Sequence, residues 1–269
     1  MSIYHIGCSG YHYKHWKETF YPAKLPQNKW FDYYCQHFNT LELNVTFYRF
    51  PRLEVLQKWY DQSPDNFRFA VKAPRVITHF KKFNGTERML DDFYSTVKEG
   101  LREKCGCCLF QLPPNYHYTK EKLAQIIRAL DKDVKNVIEF RHESWWCEDV
   151  FIELDKAQIS FCGMSHPSLP KDMVNNADLF YYRFHGDENL YASLYSLNSL
   201  SEFSKELKQQ NNIKEAYVFF NNDINTNAIT NAPATARAHQ INILFPAPPD
   251  LSLLAEVFHS AIILLSLFF

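Results

Sequence analysis

The chain has 269 residues, enough for one large domain or two small ones. Its 46% hydrophobic and 22% charged residues exclude an intrinsically disordered chain, and a net charge of −1 excludes a molecule-wide basic field for nucleic acid. Glycine is scarce, at seven, and no glycine-rich phosphate loop occurs.

Ile3–Ser9 reads as a first strand stopped by Gly10. The opening MSIYHIGCSG has neither a charged n-region nor a long apolar core, so no signal peptide is expected. An aromatic, lysine-bearing loop follows over Tyr11–Pro26. Trp30, Tyr33, Tyr34, His37 and Phe38 then recur at helical spacing. Thr40–Asn44 is a second strand, with Glu42 and Asn44 on one face and Leu41 and Leu43 on the other; the strand register continues through Thr46 and Tyr48 until Pro51. A helix over Leu53–Asp61 leads to a third strand, Phe67–Ala73, in which Arg68, Ala70 and Lys72 share a face.

The alternation repeats. A helix over Glu87–Glu99 precedes a fourth strand, Gly106–Leu112, which ends in Gln111 and two prolines; the helix Lys120–Leu130 follows. The fifth strand opens Val137–Trp146, VIEFRHESWW, where Glu139 and Arg141 share one face and Ile138, Phe140 and His142 the other. A carboxylate and a guanidinium inside a strand are costly to bury unless paired or solvated, so this strand is expected to end at a cleft. After the helix Asp149–Lys156 come a sixth strand, Ile159–Met164, and a seventh, Leu179–His185, with Tyr181, Arg183 and His185 on one face. The helix Ser199–Gln209 and an eighth strand, Ala216–Asn221, complete the series.

Eight strands alternating with helices predict a single TIM-type (β/α)8 barrel, with a doubly wound open sheet as the competitor. Polar residues recur at the C-terminal ends of the strands: Asn44, Lys72, Gln111, Arg141, His185 and Asn221. A barrel gathers those ends into one mouth, whereas an open sheet spreads them along an edge. The seven cysteines show no ligand spacing: Cys105, Cys107 and Cys108 lie in an apolar run and read as small core residues of a reduced, cytoplasmic protein.

Several segments taken together resemble a known family: IGCSGYHYKHWKETFYP, LELNVTFYRFP, FAVKAPRVITH, LFQLPP, EFRHESW, YYRFHG, and VFFNND with Asn231–Ala232. In these the chain is similar to the YecE-like family, domain of unknown function 72, from about Ile6 to Asn231. The resemblance implies a TIM-type barrel with a cleft at its C-terminal face, and no established reaction. Residues 1–231 are therefore expected to form the barrel domain. Residues 232–269 depart from the family pattern as an atypical apolar segment, whose only charges are Arg237, Asp250 and Glu256. It reads as a closing helix, as an altered reading-frame tail, or as a membrane anchor. Its final apolar run, Ser260–Phe269, is too short to span a bilayer, so no membrane partner is expected.

The expected mouth combines Glu42, Glu139 and His185 as catalytic acid–base candidates. Asn44, Tyr48, Lys72, Gln111, Arg141, Arg183 and Asn221 are the substrate-binding candidates. Tyr13, Trp16 and Trp145 read either as pocket walls or as core. Two arginine forks and a lysine suit phosphate or carboxylate. That cationic excess is expected to keep both glutamates ionised, leaving a carboxylate-protonated His185 as the proton donor. The three cations oppose a permanent divalent metal, and no cofactor is expected. Three functions stay open: a metal-independent hydrolase or lyase acting on a polar anionic small molecule, a nucleic-acid-binding or processing barrel, and a non-catalytic module that binds an anionic metabolite.

Overall fold

A computed structural model describes residues 2–238. Its strands are β1 (Ile3–Ser9), β2 (Thr40–Leu43), β3 (Arg68–Lys72), β4 (Cys105–Gln111), β5 (Asn136–Glu139), β6 (Ile159–Ser165), β7 (Leu179–Phe184) and β8 (Glu215–Phe220). Each pairs in parallel with the next, and β8 returns to β1 in register from Ile3–Glu215 to Cys8–Phe220. That seam closes the sheet, so the fold is the expected TIM-type barrel and not the open alternative. Parallel strands buried on both faces read as near-continuous apolar runs, which is why β7 and β8 are ring-rich and β4 is filled by cysteine, leucine and phenylalanine.

The helices are α1 (Trp30–Cys35), α2 (Val45–Tyr48), α3 (Leu53–Gln62), α4 (Glu87–Leu101), α5 (Lys120–Ala129), α6 (Glu148–Lys156), α7 (Leu197–Gln209) and α8 (Asn227–Ala238). Side chains cap two of them: the Thr119 and Ser196 hydroxyls accept from the amides of Lys122 and Ser199, satisfying donors the first turn leaves free. Residues 166–178, between β6 and β7, run without a helix.

Strand alternation divides the core in two. Ala70, Cys107, Leu109, Val137, Cys162, Leu179, Tyr181, Tyr217 and Phe219 fill the barrel interior, while their sequence neighbours join the larger layer beneath the helices. Gly106 interrupts the alternation. The β3–β4 register shifts there, and the Tyr217 hydroxyl occupies the space a side chain at 106 would need, 2.1 Å from where its Cβ would sit. Among the cysteines, Cys107 and Cys108 are buried and Cys105 half-buried, all with free thiols.

Val45–Phe50 does not continue β2 as a strand: Asn44 turns into the helical region (φ −86°, ψ −20°) and Val45–Tyr48 forms α2. The Thr46 hydroxyl lies 2.8 Å from the carbonyl of Leu43 and 2.6 Å from that of Lys72, tying this turn to the ends of β2 and β3. Helix α8 packs on β1, β8 and α7 through the buried stripe Ala228, Ala232 and Ala236, whose small side chains permit close approach. The expected segment 232–269 thus begins inside α8. Its remainder, from residue 239, lies outside the described residues, as does the Ser260–Phe269 run. Among the described residues no helix is long and apolar enough to cross a membrane.

Candidate functional site

Moving two residues up the inward face of each strand leads from the apolar interior to the C-terminal mouth. Ala70 gives way to Lys72, Val137 to Glu139 and Tyr181 to Arg183, and Glu42 faces inward on β2. Arg183 is the centre of the resulting cluster. Its Nη2 donates to Glu42 Oε1 at 2.6 Å and its Nη1 to Glu139 Oε2 at 2.5 Å, so one guanidinium bridges the two carboxylates across the barrel. Arg141 Nε donates to Glu139 Oε1, and the Tyr181 hydroxyl donates to Glu42 Oε2 at 2.6 Å. Both glutamates are fully buried and Arg183 is 1% exposed. Charges so far from water persist only with tight partners, and here each has them.

His185 lies against this cluster. Its Nε2 is 2.9 Å from Arg141 Nη2 and 3.4 Å from Arg183 Nη1. A guanidinium can only donate, so Nε2 must accept, and a neutral ring then carries its proton on Nδ1. The Asn221 amide lies 3.1 Å from Nδ1, and it satisfies that proton when its oxygen, not its nitrogen, faces the ring. Burial, then Arg141 and Arg183, hold the His185 pKa well below the ordinary value; Glu139, 3.6 Å from Nε2, pulls the other way and loses. This corrects the expectation that a nearby carboxylate keeps His185 protonated. The imidazole is neutral and its accepting nitrogen is committed to arginine, so it is no proton donor at neutral pH. Burial raises the Glu139 pKa, but Arg141 and Arg183 outweigh it and hold the carboxyl well below the usual range, so Glu139 stays ionised as expected.

Lys72 differs from the other cations here. It is 8% exposed, at the end of β3, and no carboxylate pairs with its Nζ among the described residues. Its ammonium lies 4.3 Å from the centroid of the Phe47 ring, carried by α2. Burial, and then repulsion by Arg183, lower its pKa to about 7 against the pull of Glu139 and Glu42. The next turn, Val76–Phe80, is π-helical, a geometry often found at functional sites, and presents His79 edge-on to Phe47 at 5.0 Å. Burial and the Lys72 charge lower the His79 pKa to about 4.

The remaining candidates divide. Gln111 and Asn221 are half-buried at the mouth, and Gln111 stands beside Glu139 in register. Asn44 leaves the strand, and its Oδ1 is buried without a partner among the described residues. Tyr48 is 65% exposed on α2, under the Arg75 guanidinium, and makes no hydrogen bond to the cluster. Trp16 and Trp145 are fully buried core; Trp145 stacks on Phe140. His142 stacks on His117, away from Glu139. Sequence reasoning missed Tyr181 as the partner of Glu42, although its place two residues before Arg183 on the same face was the available signal. It also missed His79 and Phe47, which sit in turns where no strand period marks them.

Among the described residues no three His, Cys, Asp or Glu side chains are placed to hold a metal ion. A groove on the barrel flank is lined by Glu148, Asp155, Asp172 and Asp178. Asp178 there pairs with Lys214 at 2.5 Å, an exposed surface ion pair, whereas the buried, perturbed groups converge in the mouth.

Comparison with known proteins gives the same frame. Residues 5–250 match the family model "Protein of unknown function DUF72", running past the expected end at Asn231. The UPF0759 protein YunF of Bacillus subtilis is 27% identical over 271 residues, covering 88% of this chain and 95% of that protein. The UPF0759 protein YecE of Escherichia coli K12 is 28% identical over 43% of this chain and 42% of its own length. A DUF72 family protein of Thermotoga maritima superposes with a TM-score of 0.80 at 25% identity, over 88% of this chain and 99% of that one. One from Enterococcus faecalis gives 0.79 at 21% identity, over 92% of this chain and all of the other, and speaks for the fold alone.

Proposed function

Because the chain belongs to the DUF72 family, whose description names no activity, we propose its function from the barrel mouth: an enzyme of hydrolase or lyase type acting on a polar, anionic small molecule. The observation that carries this reading is the contrast between Lys72 and its surroundings. Four charges, Glu42, Glu139, Arg183 and Arg141, neutralise one another in a rigid buried array, and Lys72 stands beside them as a cation with no anion of its own. Substrate supplies the missing anion. Arg141, the less buried of the two arginines, offers its remaining donors to a phosphate or carboxylate. Gln111 and Asn221 add amides. Glu42 and Glu139 serve less as proton carriers than as the anchors that fix Arg183 and Arg141, and Lys72, poised near neutrality, is the proton-transfer group.

The test is thermal denaturation and calorimetry at pH 6 with phosphate and with a neutral sugar. Phosphate is expected to bind and to raise Tm, the sugar to do neither, and Arg141→Met and Lys72→Met each to abolish the phosphate effect. Sugar binding without phosphate binding overturns the reading in favour of glycoside chemistry.

A second reading draws on the rim. Arg75 lies between the exposed rings of Tyr48 and Phe80, 5.6 and 5.3 Å from their centroids, an interleaving suited to stacking on nucleic-acid bases. Binding of a single-stranded oligonucleotide that weakens steeply with salt supports it. A mouth that binds phosphate but turns over no substrate supports the non-catalytic module.

A further inference from the structure

We infer that Lys72 is a nucleophile that forms an imine with the carbonyl group of an anionic oxo compound, which makes the barrel a Schiff-base lyase. The inference rests on the reading of the mouth as an anion-binding active site, and it names the substrate class.

The geometry separates Lys72 from every other buried cation. Lys104 is buried to a similar extent, but its ammonium donates to the carbonyls of Tyr60 and Ser63 at 2.8 and 2.7 Å, a structural commitment. Arg183 and Arg141 are committed to glutamates. Among the described residues the Lys72 amine has only the face of Phe47. The backbone around it is fixed: the Lys72 carbonyl accepts from Thr46 Oγ1 at 2.6 Å, and the Ala73 amide donates to the Leu109 carbonyl at 2.8 Å. The amine therefore projects from a rigid strand end into the mouth, with an aromatic wall on one side and guanidiniums on the other. Burial and those guanidiniums favour the neutral amine, the form that attacks carbonyl carbon. Arg141 is placed to hold the substrate's carboxylate or phosphate.

The step balances without an oxidant or a metal. The amine lone pair adds to the carbonyl carbon, and the C=O π pair moves to oxygen. The two amine protons leave with that oxygen as water, so C=N replaces C=O. Once protonated, the imine draws electrons from the bond beyond the adjacent carbon, as cleavage or elimination requires.

The experiment incubates the full chain with pyruvate, then with sodium borohydride, which reduces the imine to a stable secondary amine; intact-mass and peptide mass spectrometry follow. Pyruvate is expected to add once per chain, at the β3 peptide. Lys72 should be labelled on the order of a hundredfold faster at pH 7 than Lys104 or the surface lysines. Lys72→Met and Lys72→Arg should abolish the label; Lys72→Met loses a buried cation and is expected to fold. Arg141→Met should slow labelling by pyruvate severalfold more than labelling by the neutral carbonyl acetone. No label at Lys72, or label spread evenly over the lysines, overturns the inference, and if phosphate still binds the mouth the proposed function survives. Labelling of Lys72 by acetone alone, with no phosphate binding, keeps the nucleophile and overturns the anionic substrate.

Discussion

Arg183 shows how much one side chain can organise. Among the described residues it is the only cation paired with Glu42, and it shares Glu139 with Arg141. Replacing it by Met leaves a buried carboxylate without a counter-charge, so Arg183→Met is expected to cost about 3–5 kcal/mol in urea unfolding. Adding Glu42→Gln removes the stranded charge and should recover part of that loss; a double variant as unstable as the sum of the two singles would show that Arg183 and Glu42 are not coupled. The identity of these residues was legible, because charged side chains inside strands stand out against apolar neighbours. Their pairing was only half legible. The two-residue spacing put Glu139 and Arg141 on one face, but sequence could not show that Arg183 reaches both glutamates. Nor could it show that two guanidiniums outvote a carboxylate at His185. The balance there depends on distances of 2.9 and 3.6 Å to Arg141 and Glu139, which come from another strand, and of 3.4 Å to Arg183 on the same one.

At the scale of elements, the strands were legible from their alternation and the turns were not. Val45–Phe50 carries Val, Thr, Phe and Tyr, a strand composition, yet it forms α2 because the Thr46 hydroxyl closes a turn onto the ends of β2 and β3. That override brings Phe47 beneath Lys72. The turn after β7 has a comparable role. Gly186 has φ +112°, its amide donates to the Tyr195 hydroxyl at 2.7 Å, and a Cβ there would sit 2.2 Å from the Asn189 carbonyl oxygen. Gly186→Ala should therefore cost roughly 1–3 kcal/mol and weaken phosphate binding by disturbing the adjacent His185. Gly85→Ala is the control: its φ is also positive, at +57°, but nothing lies within 4 Å, so only the conformational cost applies. Equal losses in the two variants would show that the crowding at 186 is relieved at no cost.

Over the whole molecule the barrel carries polar clusters at both ends, and they do different things. At the N-terminal end Glu215 accepts from the Tyr217 hydroxyl at 2.8 Å and pairs with His5 at 3.2 Å and with Lys135 across the opening. Conservative satisfaction of this kind reads as stability, whereas the mouth leaves Lys72 unsatisfied. Depressed pKa values at both ends act in the same direction, in different windows of pH. Despite burial, hydrogen bonds from His5, Lys135 and Tyr217 hold the Glu215 pKa near about 2, and the arginines depress that of Glu139. Both carboxylates stabilise the fold above their unfolded value of 4.5, and that contribution is lost as pH falls toward their folded values. Lys72 acts in the same direction at higher pH, by relief of a cost and not by gain of a stabilising charge. Its folded pKa of about 7 lies below the ordinary 10.5, so between those values the unfolded chain holds a proton that the folded chain has released. Stability from this group therefore rises with pH across that window, at up to about 1.4 kcal/mol per pH unit, and below pH 7 the fold bears the full cost of a buried ammonium. Lys72→Met removes that cost. The variant should exceed the wild type in urea unfolding most at pH 6, by less at pH 8.5, and hardly at all near pH 10. A difference that stays constant across the three would mean that Lys72 titrates as an ordinary lysine, and the mouth would then offer a permanent cation in place of a poised amine.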